Sequence, residues 1–543
     1  MKLTVKISLI LVILLAGFLR IYKLNQVPPS LNWDEVAAGY NAYTIGNWGK
    51  DEWGQCLPLI FTSFKDDKHP IHIYLAAPLI KLFGLSNFTT RLPGAIIGVL
   101  SVLVIFFLAQ TLFKSNVAAI FSALFLAISP YHIQFSRGLW EASFAPFFFM
   151  LGLLLFYWAL QKKNWLINVS FLSFGLSLLS YHSAKIIVPP IVLLLIIFYF
   201  RDFKKLSLIF FTGILIFFIF IGLLFIDPRL LGLARVQQTK FGQDEIEKTQ
   251  MFKKTKNSTL GFGEIVLKQY LTHFSLRYLF VSGDQSPRNS VKTYGEFYKI
   301  DALFIIIGLL YLIKLRSKIT VILFAWLLLS PIPSSLVGGA PNSARAIFMI
   351  GSLHLLTGLG ASKIVGWFRG KVKSIVFVGI LIFVSYQFYI YISYYFNVYP
   401  KKDAHEWQYG MKQIVEFVKL HQEYNQVFVT DIRAQSYIFF LFYLKMPLPQ
   451  YLNSVVYNKS EESKRYNLVS SFDGFFVAQD GQPKTISLFF GGWDTVESFP
   501  DKGVLYVLSP SQYDGLRRRG SFDIKKIIYY PDGGTAFFLV SGI

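Results

Sequence analysis

The chain has 543 residues, long enough for more than one domain. Hydrophobic residues make up 54% and charged residues 15%, against roughly 45–50% and about 25% in soluble domains, so much of the chain has lipid as its solvent. A net charge of +22 in a soluble protein would point to nucleic acid. Here the basic residues fall largely in short connections between apolar runs, where they set topology. No continuous basic face with interleaved stacking aromatics is present, which excludes nucleic acid as a partner.

A membrane span needs roughly 20 mostly apolar residues. In chain order the apolar runs predict about eleven, over residues 7–21, 92–113, 117–135, 142–160, 165–181, 186–200, 206–226, 300–313, 319–332, 346–361 and 375–396. The first follows Lys2 and Lys6 as a signal peptide would, yet no small-residue cleavage site precedes Arg20, so it reads as an uncleaved helix. Lys114, Lys162, Lys163, Arg201, Lys204, Lys205, Lys314, Arg316, Lys318, Lys363, Arg369, Lys371 and Lys373 occupy alternate connections. The intervening short ones hold only Arg137, Lys185 and Arg345. The positive-inside rule then places the first set and the N-terminus in the cytoplasm, and an odd number of spans places the C-terminus outside.

Two long connections, 22–91 and 227–299, fall on the external side. The first includes an amphipathic piece, 71–85, suited to lie along the interface. After residue 396 the pattern changes: 426–430, 472–478, 504–508, 524–530 and 535–540 predict strands, and 406–420 and 511–519 helices. The expected organisation is a helical membrane domain over 1–396 and an extracytoplasmic soluble α/β domain over 397–543. The latter has no Gly-rich phosphate loop between strand and helix. The single cysteine, Cys56, can form neither an internal disulfide nor a thiolate zinc site.

The chemistry-bearing stretches begin just after the first span with Asn32-Trp33-Asp34-Glu35. By itself this carboxylate pair reads as a solvated loop feature, because desolvating two acids at a membrane face is costly. Asp66-Asp67-Lys68-His69-Pro70, Phe83-Gly84 and Arg91-Leu92-Pro93 follow in the same connection. That order resembles the membrane glycosyltransferases of the GT-C fold, nearest to the protein O-mannosyltransferases and the aminoarabinose transferases that modify lipid A. Ser136-Arg137 with Glu141, Gly283-Asp284 with Arg288, and Pro331-Ile332-Pro333 followed by Ser343-Ala344-Arg345 also look like that group.

The resemblance implies a GT-C-like polytopic enzyme that takes a sugar from a polyprenyl phosphate and passes it, with inversion, to an external acceptor. Asp34 matches the family's catalytic aspartate, placed to accept the proton of a weakly nucleophilic hydroxyl; Glu35 either orients it or holds the fold. Lys68, with Asp67 at the acidic position, matches the lysine expected to meet the departing phosphate. The family's Lys-Pro-Pro is Lys68-His69-Pro70 here, so His69 is either structural or a ligand. Arg137 and Arg345 suit phosphate contact or snorkelling to lipid headgroups. Asp284 and Arg288 are supporting candidates. His182, at the turn Tyr181-His182-Ser183-Ala184-Lys185, could join Asp67 or Glu141 around a divalent cation; no local ligand spacing favours this over a solvated turn histidine, and the metal stays unknown.

A transporter or lipid/oligosaccharide flippase without transferase activity is the competing reading. Transporters often carry internal repeats and midplane charges; this chain shows no repeat and concentrates its ionisable residues at the external ends of spans. An oligosaccharide ligase would share the donor but move a longer glycan. The expected partners are the lipid-linked sugar, membrane lipids and an acceptor that is protein, lipid or glycan.

Overall fold

The computed structural model of the chain describes residues 2–64, 66–161, 164–203, 207–232, 239–432, 435–458, 468–477, 483–491, 502–518 and 521–543. Lys162, Lys163, Lys204 and Lys205, and the expected element ends at 478 and 519, lie outside them.

The protein is predominantly helical, and its N-terminal elements follow the apolar runs. They are α1 (Leu3–Ile21), α2 (Trp33–Trp48), the hairpin β1 (Phe61–Ser63) and β2 (Asp66–Lys68), α3 (Ile71–Phe83), α4 (Asn87–Phe113), α5 (Asn116–Ile128), α6 (Pro130–Ser136), α7 (Glu141–Gln161), α8 (Leu166–Leu178), α9 (Ala184–Phe203) and α10 (Ser207–Ile226). Among the described residues seven helices are long and apolar enough to cross a membrane, and α5 with α6, bent by 58° at Ser129, makes an eighth if counted as one span. This is an integral membrane protein. The other spans expected from the sequence correspond to α8 with 13 residues, Lys299–Leu315 with 17, and Met349–Trp367. The last is interrupted at Ile350 and Gly351, whose φ is +94°. Of the stretch 71–85, residues Ile71–Phe83 form α3, a short apolar helix.

The chain divides into two compact units. The first holds Met1–Tyr22, His69–His72 and Gly94–Tyr395; the second holds Lys23–Lys68, Ile73–Pro93 and Phe396–Ile543. The unit changes between Tyr395 and Phe396, and most of the first long connection belongs to the same unit as the C-terminal segment. The cause is packing that sequence distance conceals. Helix Ser436–Tyr443 lies so close to α2 that a Cβ on Gly39 would sit 2.8 Å from Phe442 and 2.9 Å from Thr90. Tyr40 donates to the carbonyl of Met446 at 3.0 Å, and the Trp33 amide donates to Gln408 Oε1 at 3.3 Å.

The C-terminal part of the second unit is a seven-stranded mixed sheet. Its strands are β3 (Gln426–Val429), β4 (Val456–Tyr457), β5 (Val469–Val477), β6 (Pro483–Phe490), β7 (Val504–Leu508), β8 (Phe522–Tyr529) and β9 (Thr535–Gly542), in the order β4-β5-β6-β3-β7-β9-β8. β3 runs parallel to both β6 and β7 and the other pairs are antiparallel. Central β7 is buried at every position, which explains its unbroken apolar sequence. Edge strand β8 exposes Lys525 and Lys526, a charge pattern that discourages further pairing.

Candidate active site

In the second unit the adjacent acids have separate fates, set by how α2 begins. Asn32 caps the helix: its Oδ1 accepts the Glu35 amide at 3.0 Å, while Glu35 Oε2 accepts the Asn32 amide at 3.3 Å. This capping box satisfies two of the otherwise orphaned amides at the helix start. It also turns Glu35 inward, where its side chain is 0% exposed and meets Arg91. Arg91 Nε lies 2.9 Å from Oε1 and one terminal nitrogen 3.1 Å from Oε2. The other guanidinium protons go to the carbonyls of Leu24, Pro28 and Ser30, so all five donors are used. The Trp407 ring lies 5.8 Å from the guanidinium carbon.

Asp34, one position earlier, stays 29% exposed, and its Oδ1 is 3.0 Å from the ammonium of Lys68. Lys68 comes from β2, where the register Phe61↔Lys68 and Ser63↔Asp66 fixes its place. Its ammonium also meets Asp66 Oδ2 at 2.6 Å. Asp67, pointing to the opposite side by strand alternation, accepts from the Thr62 hydroxyl at 3.3 Å. The structure therefore brings Asp34 and Lys68 together, gives Glu35 a buried partner, and adds Asp66 to the ion pair. Arg91 was legible only as part of a motif; its role required the tertiary contact.

A second cluster lies in the first unit. His69 is fully buried; its amide donates to Glu141 Oε2 at 2.9 Å and its Nδ1 lies 3.5 Å from the same oxygen. His182 packs edge-on against it, with ring centroids 4.3 Å apart. One ligand atom from each of His69, Glu141 and His182 can be chosen so that all lie within 4.8 Å of one another. Two imidazoles and a carboxylate form a donor set that suits zinc. Lys185 belongs to the same group: its ammonium is 2.9 Å from His69 Nε2 and donates to the carbonyl of Leu230. Asp67, the alternative acidic partner for His182, is not among these ligands; Glu141 is.

Arg345 is half-buried beside this turn. Its carbonyl accepts from the Ser183 hydroxyl at 2.6 Å, and its guanidinium donates to Gly338 at 2.8 Å. The loop carrying it is pinned by Asp284, whose Oδ2 accepts the Ser343 amide at 2.7 Å, and by Glu296, whose Oε1 accepts the Ser343 hydroxyl at 2.6 Å. Glu296 also receives the Asp284 amide at 3.0 Å. Burial pushes the Asp284 carboxyl up and the Glu296 carboxyl up to about 8. No local pattern in the sequence distinguishes Glu296. Arg288 contributes its carbonyl, 2.8 Å from the Gln134 amide nitrogen.

Arg137 departs from the expected phosphate contact. Its guanidinium is fully buried, donates to the carbonyls of Leu19 at 2.6 Å and Tyr22 at 2.9 Å, and lies 5.7 Å from the Tyr395 ring centre. The α1 terminus leaves carbonyls without helical partners, and a forked cation beneath them satisfies two at once.

Comparison with known proteins agrees with this architecture. Residues 67–225 match the family described as dolichyl-phosphate-mannose-protein mannosyltransferase. No curated protein matches the chain by sequence. The structure of ArnT from Cupriavidus metallidurans bound to undecaprenyl phosphate superposes with a TM-score of 0.56 at 13% identity, covering 98% of each chain. The Archaeoglobus fulgidus oligosaccharyltransferase complex with zinc and sulfate superposes with a TM-score of 0.50 at 17% identity, over 80% of this chain and 61% of that one. The present chain thus spans about three fifths of the length of that archaeal enzyme. By fold and by the matched segment, the chain is a GT-C-fold membrane protein resembling the protein O-mannosyltransferases and ArnT.

Proposed function

We propose that the protein is a glycosyltransferase that moves a sugar from a polyprenyl phosphate to an acceptor on the extracytoplasmic face, with inversion and with Asp34 as general base. The observation that carries this reading is the division of labour between neighbouring carboxylates: Glu35 is sealed against Arg91, whereas Asp34 reaches solvent and shares Lys68 with Asp66. The first arrangement is structural. The second presents an acid and a cation to a substrate.

In the proposed step the acceptor oxygen bonds to the anomeric carbon as the bond from that carbon to the phosphate oxygen breaks. The acceptor proton passes to Asp34 and the bonding pair leaves with the phosphate. Inversion places nucleophile and leaving group on opposite faces of the anomeric carbon, so Asp34 and the phosphate cannot both stay against one ammonium. The Lys68–Asp34 pair therefore opens on donor binding: Lys68, still held by Asp66, turns to the phosphate, and Asp34 is released to take the proton. The match to a fold solved with undecaprenyl phosphate supports a lipid-phosphate donor.

His69, Glu141 and His182 are proposed to hold a divalent cation of the zinc type. Such an ion supplies fixed positive charge when bound. Lys185, bonded to His69, competes with it for the same imidazole.

Transfer of labelled sugar from polyprenyl phosphate by purified protein tests the assignment. Asp34→Asn should lose roughly 10²–10⁴-fold in rate while still binding donor, and Lys68→Ala should weaken donor binding. Near-normal transfer by Asp34→Asn would remove Asp34 from the mechanism. A protease-sensitive tag after Ile543 should be cut from outside intact cells; cleavage only after lysis would reverse the orientation.

A further inference from the structure

The second unit contains a cleft of about 420 Å³ whose lining includes none of the residues assigned to the transfer reaction. One wall is a single face of the helix Met411–Leu420: Lys412, Val415, Glu416 and Lys419 follow the spacing i, i+3, i+4, i+7 that aligns side chains along a helix. Lys445 lines the cleft too, so three ammonium groups converge against one carboxylate. Glu416 is 3.6 Å from Lys412, which leaves Lys419 and Lys445 in excess. Asn87 and Tyr443 add uncharged hydrogen-bonding groups, joined by a 3.2 Å bond from the tyrosine hydroxyl.

The cleft's depth relative to the bilayer follows from chain connectivity. Asn87 opens α4, a 27-residue apolar helix able to cross the membrane. Asn25, another lining residue, lies four positions after the end of α1, a second such helix. Both belong at the level where a span meets the headgroups. Just before the lining residues Leu85–Phe88 in the chain, Leu82 and Phe83 close α3 at 76% and 67% exposure, and Phe88 itself is 38% exposed. Apolar side chains so open to their surroundings suit acyl chains. Basic side chains next to them suit anionic headgroups.

We propose that this cleft binds the phosphodiester headgroup of an anionic phospholipid from the surrounding membrane, with Lys412, Lys419 and Lys445 on the phosphate and Leu82, Phe83 and Phe88 against the acyl chains. The lipid anchors the second unit at the bilayer and is distinct from the sugar donor.

The test uses the full chain in phosphatidylcholine nanodiscs, with phosphatidylglycerol titrated in and bound lipid counted by native mass spectrometry. Each lysine near an anionic headgroup is worth about 1 kcal/mol, a factor of about five, so Lys412→Gln/Lys419→Gln/Lys445→Gln should weaken phosphatidylglycerol retention at least tenfold, roughly. Phosphatidylcholine retention should not change. Glu416→Gln, which removes the opposing charge, should strengthen retention and keeps the test decisive if the triple variant fails to fold. Equal retention of phosphatidylglycerol by wild type and the folded triple variant overturns the proposal, as does a Glu416→Gln protein with unchanged retention. Glycerol phosphate added alone separates the sources: protection at the same lysines by the soluble ester, without retention of the lipid, assigns the cleft to a free phosphate and sinks the lipid reading. Asp34→Asn should retain phosphatidylglycerol normally, so failure of the transfer mechanism and failure of the lipid site are read separately.

Discussion

Glu35→Gln and Asp34→Asn make the same chemical change at adjacent positions and should have opposite consequences. Glu35 and Arg91 are both fully buried and share two hydrogen bonds of 2.9 and 3.1 Å. Making the acid neutral leaves the guanidinium charge uncompensated while its three backbone carbonyls still hold it in place. Breaking a buried pair from one side costs about 3–5 kcal/mol. For a unit of this size that corresponds to roughly 6–20 °C in midpoint temperature. Asp34 pairs with Lys68 at 3.0 Å with 29% of its side chain exposed, and an ion pair reached by solvent is worth about 1 kcal/mol or less. Asp34→Asn should therefore melt near wild type and lose transfer, whereas Glu35→Gln should melt early and retain transfer per folded molecule. Thermal unfolding in detergent, followed by labelled-sugar transfer well below each midpoint, measures both. A stable Glu35→Gln protein without transfer, beside an active Asp34→Asn protein, would refute the assignment of the two acids.

Arg137→Lys should lower the midpoint by several degrees, because lysine cannot serve the Leu19 and Tyr22 carbonyls as a planar fork does; Arg345→Lys should instead chiefly raise the donor KM, and unfolding and transfer assays on the same preparations separate the two. Metal analysis of protein purified without chelator should find about one zinc-type ion per chain, lost in Glu141→Gln and His182→Ala; equal metal in all three proteins would dismiss the cluster as its site. Burial pushes the Glu52 carboxyl from its ordinary 4.5 up to about 8. Between those values the folded chain keeps a proton that the unfolded chain has released, so this group makes stability fall as pH rises from 4.5 toward 8 and contributes no further slope above. Glu52→Gln, which mimics the protonated acid, should unfold like wild type near pH 4.5 and be more stable above pH 8 by an amount on the order of a few kcal/mol, as midpoints across that range would show.

The sequence by itself determined the membrane character, the positions of the long apolar helices and the change to an α/β segment, because lipid solvation and the β-branched, aromatic composition of strands are written in consecutive residues. The strands at 504–508 and 535–540 were legible for that reason. β6 and the helix Ser436–Tyr443 were not: after Ser436 the helix is a short, unbroken run of aromatic and aliphatic residues, and such a run has no face to give its period away. The motif order likewise identified Asp34, Lys68 and Glu141 as candidates without saying which acid was exposed, and His182 entered only from its turn at 181–185. Tertiary structure decided that, since a capping box is local but the partner that buries Glu35 lies 56 positions away at Arg91. The same holds for Arg137, drawn from the expected phosphate role to the carbonyls that end α1, and for His69, whose neighbours Glu141, His182 and Lys185 lie 72 or more positions along the chain. Composition and periodicity report what each segment needs to bury. Only the fold reports which distant group satisfies it.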